Sequence, residues 1–230
     1  RLFALDGTSD NSAVKFISGS VDTKSSATPV QVKITQAAEQ ASLTAGTALN
    51  GSIVIGDSNN GLTVKINGIE AGVTLASGTY TQQEFTDLLE TTINSTSALA
   101  GQSVSAGLVG SNLKMTSDRY GSASQIEIVS GSAMADLGMT AGQKSSGKDV
   151  AGSFRVNDTD ELATGKGQIL TANSGNENTS GLLVRVSLSA ADFSGETTAQ
   201  LTVTRGVGSS LSKLLDNFLS SEDGLASIAN

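Results

Sequence analysis

The sequence predicts a mainly β protein with minor α: two β-rich domains, one inserted in the other, followed by a C-terminal helical segment. Three observations carry that prediction. Runs of β-branched and aliphatic residues alternate with polar ones, as in Val30-Gln31-Val32-Lys33-Ile34, and a period of two gives a strand one buried and one wet face. Clusters of Gly, Ser, Thr and Asn separate these runs at short intervals, with 26 glycines against a single proline, Pro29, which is the spacing of short strands and tight turns. Only two stretches change to a helical period, one internal and one near the end.

Taken in order, residues 1–46 offer a polar lead and two strands, Ala13 to Ile17 and Val30 to Ile34. Pro29 precedes the second strand, where its missing N–H does least harm. A Gly/Thr/Asn stretch, Thr44 to Gly51, opens a second unit over residues 47–146. There Ser52 to Ile55 and Leu62 to Ile66 flank the turn-former cluster Asp57-Ser58-Asn59-Asn60-Gly61, which predicts a hairpin. Asn67-Gly68 is a second turn, leading into Val73-Thr74-Leu75. The internal helix is expected at about 81–95. Thr81 and Glu84 have the spacing of a capping box, and Phe85, Leu88, Leu89 and Ile93 fall on one face that needs a sheet to lie on. Strands at Val104 to Val109, Leu113 to Thr116 and Gln125 to Val129 supply it, and a helical turn at Ala133 to Leu137 ends the unit.

Residues Gly138 to Gly147 read as a linker. Strand patterns resume over 147–206 at Gly152 to Val156, Gln168 to Leu170, Leu182 to Val186 and Ala199 to Val203. They resemble the opening strands, so 1–46 and 147–206 are expected to form one domain that hosts the 47–146 unit as an insertion. From 207 to 230, Val207, Leu211, Leu214, Leu215, Phe218 and Leu219 form a helical stripe, with Ser209 or Ser210 as N-cap and Gly224 as stop. Arg1 opens the chain without a cleavable signal sequence after it, and the chain reads as a fragment of something longer.

Composition narrows the function classes. The net charge is −8, from 14 basic and 22 acidic residues, and the basic ones are scattered. Phosphate backbones and anionic lipid surfaces are bound by clustered Lys and Arg, so neither nucleic acid nor membrane is an expected partner. No apolar run approaches the ~20 residues of a bilayer span. The chain has no Cys and no His, which removes disulfides, thiolate metal sites, the commonest general base and the commonest metal ligand.

Each motif that resembles a reactive site fails on a specific residue. Gly142 to Lys148 fits a phosphate loop up to its lysine, but Asp149 stands where Ser or Thr must hold Mg²⁺, and no apolar strand precedes it. Gly165-Lys166-Gly167 lacks the spacing and βαβ setting of a dinucleotide loop and is a turn. Asp57 to Gly61 opens like a calcium loop, but the twelfth position is Gly68 rather than Glu. Asp158-Thr159-Asp160-Glu161 is the densest acidic cluster and reads as an exposed turn able at most to bind a cation weakly. Glycosylation triplets at Asn50, Asn94, Asn157 and Asn178 matter only in a eukaryotic secretory setting. No catalytic, cofactor-binding or metal-binding residue is expected, and no cofactor.

Four phrases are familiar as a set. Leu49-Asn50-Gly51-Ser52-Ile53-Val54-Ile55, Val64-Lys65-Ile66-Asn67-Gly68, the Tyr80 to Asn94 helix and Leu113-Lys114-Met115-Thr116-Ser117 running to Tyr120-Gly121 resemble the flagellin/hook repeat motif of axial flagellar proteins. Met115 is a mild departure from it. Gly147 to Ser153, Ala163 to Leu170, Gly181 to Val186 and Val203-Thr204-Arg205-Gly206-Val207 follow in the order found in the flagellar filament capping protein family, also called hook-associated protein 2. That resemblance covers nearly the whole chain. It implies a homo-oligomeric cap at the distal tip of the extracellular filament, beneath which flagellin folds and inserts. The two β domains would form its plate, and the residues from about Val207 the start of a helical leg.

Rival readings are a glycan-binding adhesin domain and another axial subunit such as flagellin. Surface glycans would stack on exposed aromatic rings, and the chain has only Tyr80, Tyr120 and six Phe to offer. The second β unit tells against flagellin. An enzyme is the reading with least support.

Overall fold

The computed structural model describes residues 5–25 and 28–205. The chain runs through β1 (Leu5–Ser9), β2 (Val14–Ser18) and β3 (Val30–Gln36). It continues into β4 (Gln40–Thr44), β5 (Ile53–Ile55), β6 (Gly61–Ile66), β7 (Ile69–Thr74) and β8 (Gly78–Tyr80). The helix α1 (Gln82–Ser95) and a short 3₁₀ turn (Ser97–Leu99) precede β9 (Val104–Val109), β10 (Asn112–Tyr120), β11 (Gln125–Ser130) and β12 (Gln143–Ser146). The last strands are β13 (Ala151–Val156), β14 (Thr159–Lys166), β15 (Ile169–Ala172), β16 (Leu183–Val186) and β17 (Thr197–Arg205). This is the mainly β architecture that the patterning predicts. The helical stripe expected over 207–230 lies outside the described residues.

Two compact units divide the described chain. One takes the residues up to Ala37, Ala151–Gly165 and the strands from Ile169 onward; the other takes Ala38–Val150 with Lys166–Gln168.

The first unit is a single eight-stranded sheet in the order β1-β17-β3-β13-β14-β15-β16-β2. Its register follows the alternation read from the sequence. Ala199 of β17, Val32 of β3 and Phe154 of β13 stand opposite one another, and each is at most 1% exposed. A one-residue slip would put this row in water, so burial itself fixes the pairing. The edge strands β1 and β2 pack against each other, so the sheet curls. Asn157 and Asp158 join β13 to β14 with both residues at positive φ, 48° and 65°, the twist that a two-residue hairpin requires.

In the second unit, three small sheets share one core: β4-β10-β9, β12-β11-β6-β7 and β5-β8. Thr81 caps α1, its hydroxyl accepting from the Glu84 amide while Glu84 returns to the Thr81 amide. Phe85, Leu89 and Ile93 from the predicted stripe are fully buried, and Leu88 is half-buried against the same core. Their partners include Val64, Ile66, Leu113, Met115, Ile126 and Ile128.

Several expectations are corrected. The hairpin predicted between Ser52–Ile55 and Leu62–Ile66 does not form. β5 pairs with β8, while β6 is flanked by β7 and β11. A strand has only two edges, and the Asn67-Gly68 turn (φ 49° and 89°) delivers β7 to one of them first. Asp57 to Gly61 is still a turn, held by Asn59, whose side chain accepts from the Gly56 amide and donates to the Val54 carbonyl. Gly138–Gly147 is not a linker throughout, because Gln143–Ser146 forms β12 against β11. Its side chains are all polar, so the strand carries no hydrophobic period and is held by backbone pairing. The pattern likewise predicts no strand at β1, β4, β8 or β14. The turn at Ala133–Leu137 forms, with the Leu137 amide bonded to the Ala133 carbonyl, but β12 follows it.

Candidate functional site

Several of the polar groups singled out in the sequence hold loops and strand edges. Glu161 is the clearest case in the first unit. Alternation along β14 turns it inward, and it is 5% exposed. One carboxylate oxygen accepts from the Asn178 amide and side chain at 2.9 and 2.8 Å; the other accepts from the Thr179 amide and hydroxyl at 2.8 and 2.5 Å. Burial opposes its charge, but the bonds from Thr179 and Asn178 outweigh it and hold the carboxyl below the ordinary glutamate range. The reading of residues 158–161 as an exposed acidic turn is therefore corrected at Glu161. Asp158 and Asp160 do face solvent beside Arg155. A carboxylate accepting four hydrogen bonds has its lone-pair directions filled and offers none to a cation. Asn178-Thr179-Ser180, one of the glycosylation triplets, supplies this pocket instead.

In the second unit, the phosphate-loop look-alike is a strand and a latch. The Gly147 amide donates to the Ser124 carbonyl, and Lys148 pairs with Glu39 at 3.0 Å. Asp149 accepts from the amide and hydroxyl of Ser122 at 3.1 and 2.6 Å and from the Gly167 amide at 2.7 Å. Burial again opposes the charge, and the bonds from Ser122 and Gly167, with the nearby Lys166 charge, bring its carboxyl below the ordinary range. Gly121, which closes the repeat-motif phrase, sits at φ 92°, and a side chain there would overlap Asp149 and the backbone of Gly167. Only glycine fits. Gly167 itself turns between β14 and β15 at φ 57°, as expected for Gly165-Lys166-Gly167.

Strand edges are treated in the same way. The helix reaches down onto β9: Glu90 accepts from the Ala106 amide at 2.8 Å, and Asn94 both accepts from and donates to the backbone of Val104. These side chains occupy groups that would otherwise template another strand. Ser145 and Gln143 of β12 bond the backbone of Ser42 and Thr44 of β4 at 3.2 and 3.0 Å. No signal in the sequence points to these contacts, because each joins side chain to backbone across different elements, 10 to 103 positions apart.

Two concave features among the described residues are open to solvent. One open depression of about 420 Å³ is lined by Thr79, Tyr80, Glu84, Asp87, Leu88 and Thr91. Its two acids are engaged, Glu84 in the helix cap and Asp87 with Gln83. A second of about 220 Å³ lies over β9 and β10 beside Lys114. Among the described residues, no three Asp or Glu converge on a metal position. Phe85 and Phe154 are buried, and the Tyr80 hydroxyl donates to the Ala76 carbonyl. Exposed large apolar side chains among the described residues include Val21 in a loop, Leu162 on β14, Val54 on β5 and Val109 on β9.

These features define a β-rich module of two antiparallel units, in which Glu161 and Asp149, the acids of the most reactive-looking motifs, are committed to internal contacts. Its fold is that of the D2–D3 domains of flagellar cap proteins. The crystal structure of the flagellar cap protein FliD D2-D3 domains from Escherichia coli superposes with a TM-score of 0.52 at 16% identity, covering 89% of this chain and 100% of that one. The D1-D2-D3 structure of FliD from Escherichia coli gives 0.53 at 15% identity, covering 94% of this chain and 58% of that one. This chain thus spans a little over half the length of the three-domain protein. No family model matches the chain, and no curated protein sequence matches it.

Proposed function

We propose that this chain is the plate-forming part of a flagellar filament cap, a homo-oligomer at the extracellular tip that shelters flagellin while it folds and joins the filament. The observation that carries the reading is coverage: both β units, and not a single shared motif, superpose on the whole of the FliD D2-D3 structure. The ordered flagellar phrases in the sequence support it independently. So does the placement of Gly121, where the repeat phrase ends at a position that admits no side chain. The work is steric, performed by rigid sheets beside copies of themselves, and requires no bond chemistry. Contacts between subunits would be broad and polar, as suits monomers that are soluble before assembly.

A full-length protein carrying this chain is expected to assemble into a closed homo-oligomer by light scattering. It is also expected to restore filament growth to cells lacking their own cap. A monomer that leaves flagellin secreted into the medium would sink the reading.

A further inference from the structure

The second unit carries three Asn-Gly pairs, Asn50-Gly51, Asn60-Gly61 and Asn67-Gly68, and the structure treats them very differently. Asn-Gly is the dipeptide most open to spontaneous amide loss, because glycine leaves the following backbone nitrogen unshielded. That nitrogen attacks the Asn side-chain carbonyl carbon, gives up its proton and expels ammonia. Water then opens the cyclic imide at either carbonyl, leaving aspartate or isoaspartate. The reaction needs a free carboxamide, a free following N–H and room for the ring.

At Asn67 the first of these, the free carboxamide, is missing. Its Oδ1 accepts from the Gln125 amide at 2.9 Å and the Ser117 hydroxyl at 3.1 Å, and its Nδ2 donates to Gln102 at 2.9 Å. The half-buried side chain is pinned at both the electrophilic carbonyl and the leaving group. Asn60 is intermediate. It is half-buried, and the Gly61 amide that would attack is donated to the Ser132 hydroxyl at 3.1 Å.

Asn50 is the opposite case. It is exposed, and no described residue hydrogen-bonds its carboxamide or the Gly51 amide. A carbon added at Gly51 would meet no atom within 4 Å. The chain on either side is fixed: Leu49 is buried, its amide bonded to the Ser111 carbonyl and its carbonyl to Gln82, and Ile53 is buried in β5. The loop therefore persists as a short, open, solvated link between two anchors.

We propose that Asn50 is a built-in deamidation site of the folded protein, converting to aspartate and isoaspartate while Asn67 is preserved. The product adds a negative charge, and in the isoaspartate form an extra backbone carbon, between the Leu49 and Ile53 anchors.

The test incubates the whole chain, folded and in parallel urea-denatured, in warm, mildly alkaline buffer. Conversion at each Asn is followed by peptide mass spectrometry with isoaspartate detection. In the folded protein, Asn50 is expected to convert about a hundredfold faster than Asn67, since three net hydrogen bonds at ~1 kcal/mol each amount to about two decades. In urea the three sites should converge. Gln102→Ala, which frees the Asn67 leaving group, should speed conversion at Asn67 and leave Asn50 unchanged. Equal folded-state rates at Asn50 and Asn67, or an Asn50 that outlasts Asn67, would overturn the proposal.

Discussion

At the scale of single residues, Glu161 shows how a group marked as acidic surface becomes an internal fastener. Glu161→Gln replaces an acceptor oxygen with a donor among donors from Asn178 and Thr179. It is expected to destabilise the protein by about 2–3 kcal/mol, read from urea unfolding. The wild-type group also imposes a pH dependence. Its folded-state pKa lies below the unfolded value of about 4.3, so its stabilisation is complete above that pH and is lost as the pH falls through the lower folded value. The Gln variant should flatten that acid limb, and an unchanged limb would remove Glu161 as its source. Asp158 gives a prediction of opposite sign. It occupies the second position of the β13–β14 turn at φ 65° with a side chain 99% exposed. Asp158→Gly should raise the urea midpoint, because glycine adopts that backbone without strain and the surface contact with Arg155 contributes little.

At the scale of elements, α1 has two roles that separate by mutation. Its cap and buried stripe hold the core: Thr81→Ala should cost about 1 kcal/mol and Leu89→Ala about 2–5 kcal/mol of unfolding free energy. Its outer turns guard β9. Asn94→Ala leaves the amide and carbonyl of Val104 without their partner, a loss of about 1–3 kcal/mol. It should also expose the strand edge, so light scattering should rise and hydrogen exchange at Val104 should accelerate. A variant that loses stability yet shows neither change would mean that the helix does not guard that edge. The helix was legible in the sequence down to its capping box, because caps and stripes are made by residues three and four apart. The strands of strong alternation, β3, β6, β10 and β17, were legible for the same reason. β12 and β14 were not: one has no apolar side chains, and the other buries a carboxylate where a pattern search expects an aliphatic residue.

At the scale of the whole molecule, the chain joins two units of different construction, one curled sheet and one set of small sheets on a shared core. A chain limited to residues 38–150 is expected to fold cooperatively by itself, since it holds every residue of the second unit's core cluster. Calorimetry of that fragment would show a single transition, and a featureless melt would mean that its stability comes from elsewhere. The likeness to flagellar cap D2–D3 domains belongs to this scale as well. Identity of 15–16% leaves little for residue-by-residue comparison, yet the backbones superpose over 89–94% of this chain.

The sequence by itself determined where most strands, the helix and the tight turns lie, and that no Cys or His chemistry is possible. Those properties depend on neighbours a few positions apart or on composition alone. Tertiary structure decided which strands meet, as with β5 leaving β6 for β8, and which polar side chains are internal. Glu161 finds Asn178, Asp149 finds Ser122, and Asn67 is pinned while Asn50 is left open, all through contacts across many residues of chain. Such pairings are set by competition for strand edges and by the cost of burying an unpartnered polar group, and neither is written in any short stretch of sequence.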